Sequence, residues 1–393
     1  MLYKNLLVFS ALCAAVVIGS LACHKHNDAP PTPDLPGPGQ YKTPQLPSPA
    51  YDYSKANMPA YIAEYLRLNP QIDNTPADNP LTNEGAALGR VLFYDKLLSF
   101  NNTISCSSCH HQETAFTDAK SFSNGFNGGF TKRNAMSTVN LRYFKAGKMF
   151  WDLRAPTLEA QVLMPIQDHV EMGITSLTGL VAKLSQVSYY PALFKNAFGS
   201  PDITSDKIAR AIAQFMRSIT SFDSRYDQGL SSNFSTFTPQ ENRGFAMVKR
   251  AFCLECHSDL THVASGTSPS FLVVENSGQN TGNGSNNGLE ADYTDKGIGA
   301  ISGKQSDMGT FKIPTLRNIE LTAPYMHDGR FSTLEQVLDH YSNGVQHNPN
   351  RGVQIPEGGF HFTDQEKADI ISFLKTLTDR SLISDPRFSD PFK

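Results

Sequence analysis

Beyond its opening stretch this chain of 393 residues has almost no cysteine: of its 6, Cys13 and Cys23 lie at the start, and only Cys106, Cys109, Cys253 and Cys256 follow. An exported protein normally uses spare cysteines for disulfides, so the shortage argues against a disulfide-built scaffold. Tryptophan is scarcer still, with Trp151 the single example. Charge of one sign is missing too; a net charge of −3 with 18% charged residues gives no basis for nucleic acid or an anionic membrane surface as a partner. No alternating apolar pattern is strong enough to support a large sheet.

The four remaining thiols stand in two identical frames, Cys106-Ser107-Ser108-Cys109-His110 and Cys253-Leu254-Glu255-Cys256-His257. Each reads as a covalent attachment site for a c-type haem, with both thiols joined to the porphyrin and the adjoining His on the iron. The blander readings are a redox dithiol or half of a zinc site. Zinc would need further Cys or paired His, and neither is available.

The first 22 residues carry Lys4 and an apolar run from Leu6 to Ile18, which is an export signal rather than a transmembrane helix. Ala22-Cys23 resembles a lipoprotein cleavage site, although Ser20 stands where an aliphatic residue is usual. Residues 23–50, with Pro30, Pro31, Pro36 and Pro38, read as an extended tether. The rest, about 370 residues after processing, is too long for one core and divides into domains at 51–235 and 236–393.

Helix signals dominate that body. Thr82 opens a helix through Ala86, Leu88, Val91 and Leu92 toward the first motif, and the capping box Thr238-Pro239-Gln240-Glu241 opens another that runs into Cys253. Ile203 to Ile219 carries Ile208, Ala211, Ile212, Phe215 and Met216 at helical spacing, and Thr363-Asp364-Gln365-Glu366 begins a terminal helix through Ile370, Phe373 and Leu377. The expected fold is mostly α, two cytochrome c-like haem domains with long loops and little sheet.

The chain also repeats itself. Asp152-Leu153-Arg154-Ala155-Pro156-Thr157-Leu158-Glu159 and Asp328-Gly329-Arg330-Phe331-Ser332-Thr333-Leu334-Glu335 share the frame Asp-x-Arg-x-x-Thr-Leu-Glu, one after each motif. The second copy lies farther from its motif because of an Asn/Gly/Ser-rich stretch, Asn276 to Gly288, read as a surface loop or, alternatively, a partner-binding one.

The order of motifs, with Phe150-Trp151-Asp152, Val170-Glu171-Met172-Gly173, Pro314-Thr315-Leu316-Arg317-Asn318 and Thr322-Ala323-Pro324-Tyr325-Met326-His327-Asp328-Gly329, resembles the bacterial di-haem cytochrome c peroxidase and MauG family from about Asn83 to Leu377. The resemblance implies that His110 holds the haem where peroxide reacts and His257 the haem that receives electrons. Glu171 matches the distal proton shuttle, Gln161 and Pro165 match other distal positions, and Trp151 matches the aromatic residue between the haems. Taken alone, Trp151 would be a core residue and Glu171 an exposed loop carboxylate. Asn134, Thr322 and Pro324 match calcium ligands, a set that suits a hard cation held partly by water; alone they would be a turn.

Two positions depart from the peroxidases. Phe126, eight residues before Asn134, stands where a blocking distal His is common, which implies a first haem ready for peroxide without prior reduction. Tyr341, seventeen residues after Pro324, stands where the sixth ligand of the second haem is a Met. Tyrosine there is the MauG-like arrangement, which lowers the iron potential. Met326 is the competing ligand, and Tyr341 packing on the haem edge is the plain alternative. The Trp that carries oxidising equivalents in MauG is replaced by Ala251.

The implied function is an exported periplasmic di-haem peroxidase, lipid-anchored through Cys23, that reduces hydrogen peroxide with electrons from a small cytochrome c-like donor. Oxidation of a protein side chain or small organic substrate is the alternative, and a di-haem electron carrier is the reading from another class. A membrane enters only through the lipid anchor, and a homodimer stays open.

Overall fold

The structure is a computed structural model describing residues 42–393 except 55–57, 69, 145–146 and 258–283. The expected export signal, Cys23, the tether up to residue 41 and most of the Asn276–Gly288 loop lie outside the described residues. Among the described residues the fold is helical. α1 spans Ala60–Leu68, α2 Asn83–Tyr94, α3 Leu158–Gln167, α4 Leu177–Ser185, α5 Tyr190–Phe198 and α6 Ser205–Ser218. α7 spans Arg225–Ser231, α8 Pro239–Arg250, α9 Cys253–His257, α10 Gly299–Ser302, α11 Leu334–Asp339 and α12 Asp364–Lys375. One two-stranded antiparallel ribbon pairs β1 (Gly284–Ser285) with β2 (Phe311–Lys312). No helix among the described residues is long and apolar enough to cross a membrane.

The helix starts follow from their caps. Thr82 Oγ1 accepts from the Gly85 amide at 3.0 Å, and Thr238 and Thr363 form reciprocal capping boxes with Glu241 and Glu366. Pro239 sits in the first turn of α8, where its missing N–H costs nothing.

Two helix pairs organise two apolar cores, and they are built alike. Gly89 of α2 meets the Ala211 carbonyl and Phe215 Cβ of α6; Gly244 of α8 meets the Asp369 carbonyl and Phe373 Cβ of α12. In both pairs a Cβ at the glycine would collide with the opposing backbone, so the absent side chain sets the helix separation. The first core contains Leu88, Val91, Leu92, Ile212 and Phe215, and the second Met247, Val248, Ile370, Phe373 and Leu374.

The repeat seen in the sequence is a repeat in structure. Met149 bridges Ala155 and Tyr325 bridges Phe331, both antiparallel, each closing a tight loop. Within the loops Arg154 bonds Asp152 at 3.0 Å and Arg330 bonds Asp328 at 2.7 Å. Thr157 then caps α3 and Thr333 caps α11. Asn140 and Asn318, with φ of 57° and 60°, each lead into a 3-10 turn.

The chain divides less cleanly than a cut at 235 implies. Tyr226 of α7 is buried in the second core, while Leu382 and Phe388 near the C-terminus return to the first. The end of the expected tether also belongs to the body: the Gln45 amide bonds the Pro391 carbonyl at 2.7 Å and Leu46 packs on the first core.

Because Gly244 holds α8 against α12, Gly244→Val should destabilise the haem-loaded protein by about 1–3 kcal/mol through overpacking. Gly179→Ala in α4, where a Cβ meets only Ser176 at 3.6 Å, should be neutral or slightly stabilising. Denaturant midpoints of the two variants test this, and equal midpoints would show that the glycine contact does not set the spacing.

Candidate haem sites

Ser105 caps a 3-10 turn, Cys106–Ser108, that presents Cys106, Cys109 and His110 together. Burial, reinforced by the neighbouring Cys109, pushes the Cys106 thiol up to about 12; burial raises Cys109 to about 11. In the second motif, on α9, burial and Cys256 push Cys253 up to about 12. Thiols held neutral in this way are poor redox nucleophiles, so the dithiol reading loses ground.

Each histidine is oriented through one ring nitrogen. His110 Nδ1 lies 2.9 Å from the Phe116 carbonyl, and His257 Nδ1 lies 2.9 Å from the Pro314 carbonyl. A carbonyl only accepts, so Nδ1 carries the proton and Nε2 keeps its lone pair for a metal. Ala115 and Phe116 adopt φ of 52° and 61°, a region that disfavours residues with side chains. The bridge between His111 and Thr117 imposes that conformation, with the His111 amide 3.0 Å from the Thr117 carbonyl and the Phe116 amide 2.7 Å from the His111 carbonyl. Paired thiols beside a histidine with a free Nε2 are the donor set that covalent haem requires.

The residues expected on the distal side lie on α3 and on the turn that follows it. α3 carries Gln161 and Pro165, and a turn at 168–171 carries Glu171. Pro165 inside α3 has no N–H to give the Gln161 carbonyl, and Gln161 Oε1 is itself buried with no hydrogen-bond partner among the described residues. Asp168 Oδ1 holds the turn by accepting from the amides of Val170 at 2.8 Å and Glu171 at 3.1 Å. Burial raises the Glu171 carboxyl to about 7, helped by the like charge of Asp168 and opposed by Arg154. Its charge reaches both Cys106 and Cys109, which places it beside the first motif.

Phe126 is bound into the same turn. Its amide donates to the carbonyls of Val170 at 3.2 Å and Glu171 at 3.0 Å, and its ring packs edge-on against Phe100 and over Gly173. A Cβ at Gly173, whose φ is 72°, would strike that ring.

Around the second motif lies a cavity of about 200 Å³, with Cys256, His257, Met326 and Tyr341 in its wall. Trp151, Asn134, Thr322 and Pro324 line the same cavity. Trp151 donates from Nε1 to the Asn134 carbonyl at 2.8 Å and lies edge-on to Phe311 and His327, which stack on each other at 3.9 Å. Asn134 Nδ2 donates to the Lys120 carbonyl at 3.0 Å, which leaves Oδ1 as the acceptor available to a cation. Ala251 caps the end of α8 and is buried.

The two halves meet through matching bonds at this cavity. The Asn134 amide donates to the His327 carbonyl at 2.8 Å, and the Lys312 amide donates to the Trp151 carbonyl at 2.7 Å. Trp151 and His327 are equivalent positions of the repeat, and Asn134 and Lys312 stand equally far before Asn140 and Asn318.

Tyr341 and Met326 converge on Asn287. Asn287 Nδ2 is 3.4 Å from Met326 Sδ, and Asn287 also acts on the Tyr341 hydroxyl, partly opposing the rise in its pKa. Burial drives that hydroxyl well above the usual tyrosine range. The sequence suggests Tyr341 two turns into a regular helix; instead α11 stops at Asp339 and a π turn, His340–Gly344, carries Tyr341. Such turns concentrate at functional sites because they re-aim one side chain. Asn287 and the carbonyls of Phe116 and Pro314 have no signature in the sequence.

Residues 83–234 match the family model of the di-haem cytochrome c peroxidases. The chain is 33% identical to the methylamine utilization protein MauG of Methylorubrum extorquens over 328 residues, covering 83% of this chain and 86% of that one. It is 32% identical to cytochrome c551 peroxidase of Nitrosomonas europaea over 322 residues, 80% of this chain and 86% of the relative. Among solved structures it resembles a MauG-like protein associated with microbial copper homeostasis, with a TM-score of 0.73 and 38% identity over 86% of this chain and 99% of that one.

The Glu171 carboxyl offers a direct check on the distal turn. Asp168→Asn keeps an oxygen for the Val170 and Glu171 amides but removes the like charge, so the Glu171 midpoint should fall below about 7. Infrared titration of the carboxylate band reads this, and an unmoved midpoint would mean that Asp168 does not act on Glu171 by charge.

Proposed function

The chain belongs to the di-haem cytochrome c peroxidase family, and from that membership we propose that it reduces hydrogen peroxide at the haem of the His110 motif. It is an oxidoreductase carrying two covalent c-type haems. Electrons come from a small cytochrome c-like donor by way of the His257 haem. Each haem, joined through its two cysteines and held by His110 or His257, supplies an iron that exchanges electrons.

The observation that carries this reading is the raised Glu171 carboxyl beside the first motif, facing chemistry that needs one group to accept and return a proton. Glu171 takes the proton from the inner peroxide oxygen and delivers it to the outer one, which leaves as water. Gln161 Oε1 accepts a hydrogen bond from the incoming peroxide, and Pro165 frees the Gln161 carbonyl as a second acceptor. Phe126, held by its own contacts and without a metal-binding atom, leaves the first site open in the oxidised enzyme. Trp151 relays electrons between the halves; its Nε1–H is bonded to a carbonyl that cannot take its proton.

Several finer assignments rest on the family pattern. Asn134 Oδ1 and the Thr322 and Pro324 carbonyls hold Ca²⁺, a neutral oxygen set completed by water. The working compartment is the periplasm, with a lipid on Cys23 as anchor. The MauG-like second reading, oxidation of a protein side chain or small organic substrate, is favoured by Tyr341 and by the likeness to the copper-associated MauG-like protein. A pure electron carrier would have no use for Glu171 and an unpartnered Gln161.

Glu171→Gln should keep both haems and slow peroxide turnover by about 10²–10⁴ in steady state with reduced cytochrome c. The sign with pH follows from its role as base: the wild-type rate should fall as pH drops through about 7, because the protonated carboxyl cannot accept a proton. Unchanged kinetics in a fully haem-loaded variant would remove Glu171 from the mechanism.

In this reading the Tyr341 hydroxyl would bind the iron of the second haem. Tyr341→Phe should change the ferric spectrum and raise that haem's potential, since phenolate favours ferric iron. A change in Met326→Ala with none in Tyr341→Phe assigns the ligand to Met326 instead.

A further inference from the structure

Lys312 is a buried cation with no assigned purpose. It is 7% exposed, its Nζ lies 4.3 Å from the centre of the Phe144 ring, and it has neither a carboxylate nor a hydrogen-bond partner for its ammonium among the described residues. Burial alone lowers it to about 8, with no opposing charge to offset the loss of water.

Its surroundings sharpen the question. Lys312 lines the cavity that holds Cys256, His257 and Tyr341, and no Asp or Glu among the described residues lines that cavity. The other strong cation in the wall, Arg317, is fully used by Asp227 through two bonds of 2.8 Å. A lone buried ammonium in an apolar wall is costly unless an anion meets it. The equivalent position in the first half is Asn134, uncharged and with its amide nitrogen bonded to Lys120. The charge is therefore confined to one of two similar places.

We propose that Lys312 binds a propionate carboxylate of the haem carried by Cys253, Cys256 and His257. The ammonium supplies the counter-charge that the cavity wall otherwise lacks, and Phe144 keeps it turned inward. The consequence is a linkage, because the Lys312 amide is bonded to the Trp151 carbonyl at 2.7 Å. One residue then fixes the second haem's edge and the backbone of the proposed electron relay. A cation at the propionate also favours the reduced, less positive haem. The proposal rests on the second motif carrying haem, as stated under the function above.

The test uses the full haem-loaded chain with Lys312→Gln and Lys312→Arg. Mass spectrometry of the peptide containing 253–257 first establishes haem on that motif. Spectroelectrochemistry then reads each haem, and resonance Raman reads the propionate bending band. In Lys312→Gln the ferric-to-ferrous ratio of the second haem at fixed potential should rise about tenfold, which is ~59 mV for one electron, while the first haem stays put and the propionate band shifts. Lys312→Arg should stay near wild type. A haem-bearing Lys312→Gln with an unmoved ratio and band overturns the Lys312 assignment alone. So does an Arg variant that behaves like Gln, or a wild-type ratio that changes with added phosphate at constant ionic strength, which would make a dissolved anion the partner. A haem-free 253–257 peptide overturns the haem reading and the assignment with it.

Discussion

Two short backbone bonds, Asn134 to His327 and Lys312 to Trp151, join equivalent positions of the two halves of this protein. Each contributes only on the order of 1 kcal/mol net. Their weight lies in what they align. They set the Phe311–His327 stack beside Trp151 and bring both halves onto one cavity wall. If the alignment slipped, Trp151 would lose its edge-on contacts with Phe311 and His327.

Electrostatics then differentiates sites that share an architecture. Near the first motif, burial with Asp168 leaves Glu171 poised around neutrality, a condition suited to moving a proton. Near the second, the cavity wall holds a cation and, among the described residues, no carboxylate. Between them Arg133 bonds Asp152 at 2.6 Å and Asp295 at 2.7 Å while lying over the Phe311 ring, so the charge near Trp151 is compensated locally.

The helical class and the family followed from local sequence, because both haem motifs and the capping boxes at Thr238 and Thr363 act over five residues or fewer. The helix expected over 203–219 emerges as Ser205–Ser218 for the same reason. What escaped depends on non-local geometry. The carbonyls of Phe116 and Pro314 that orient the histidines belong to the backbone, which any residue supplies. The π turn under Tyr341 looks like ordinary helix in a string of letters, and the isolation of Lys312 exists only once its cavity is built. The pairing of Gln161 with Glu171 as distal residues was reachable only through resemblance, since ten residues and a turn separate them.

The reciprocal bonding has a consequence for symmetry. An interface in which position i of one unit meets position j of the other, and j meets i, is the isologous contact of a two-fold dimer. Here one chain supplies both units. A true homodimer must place the same residue on each side of its axis, two tryptophans or two histidines. A tandem chain is free of that rule, and this one sets Trp151 against His327 and Asn134 against Lys312. Covalent fusion thus converts a symmetric contact into a polar one, whose two sides differ in chemistry.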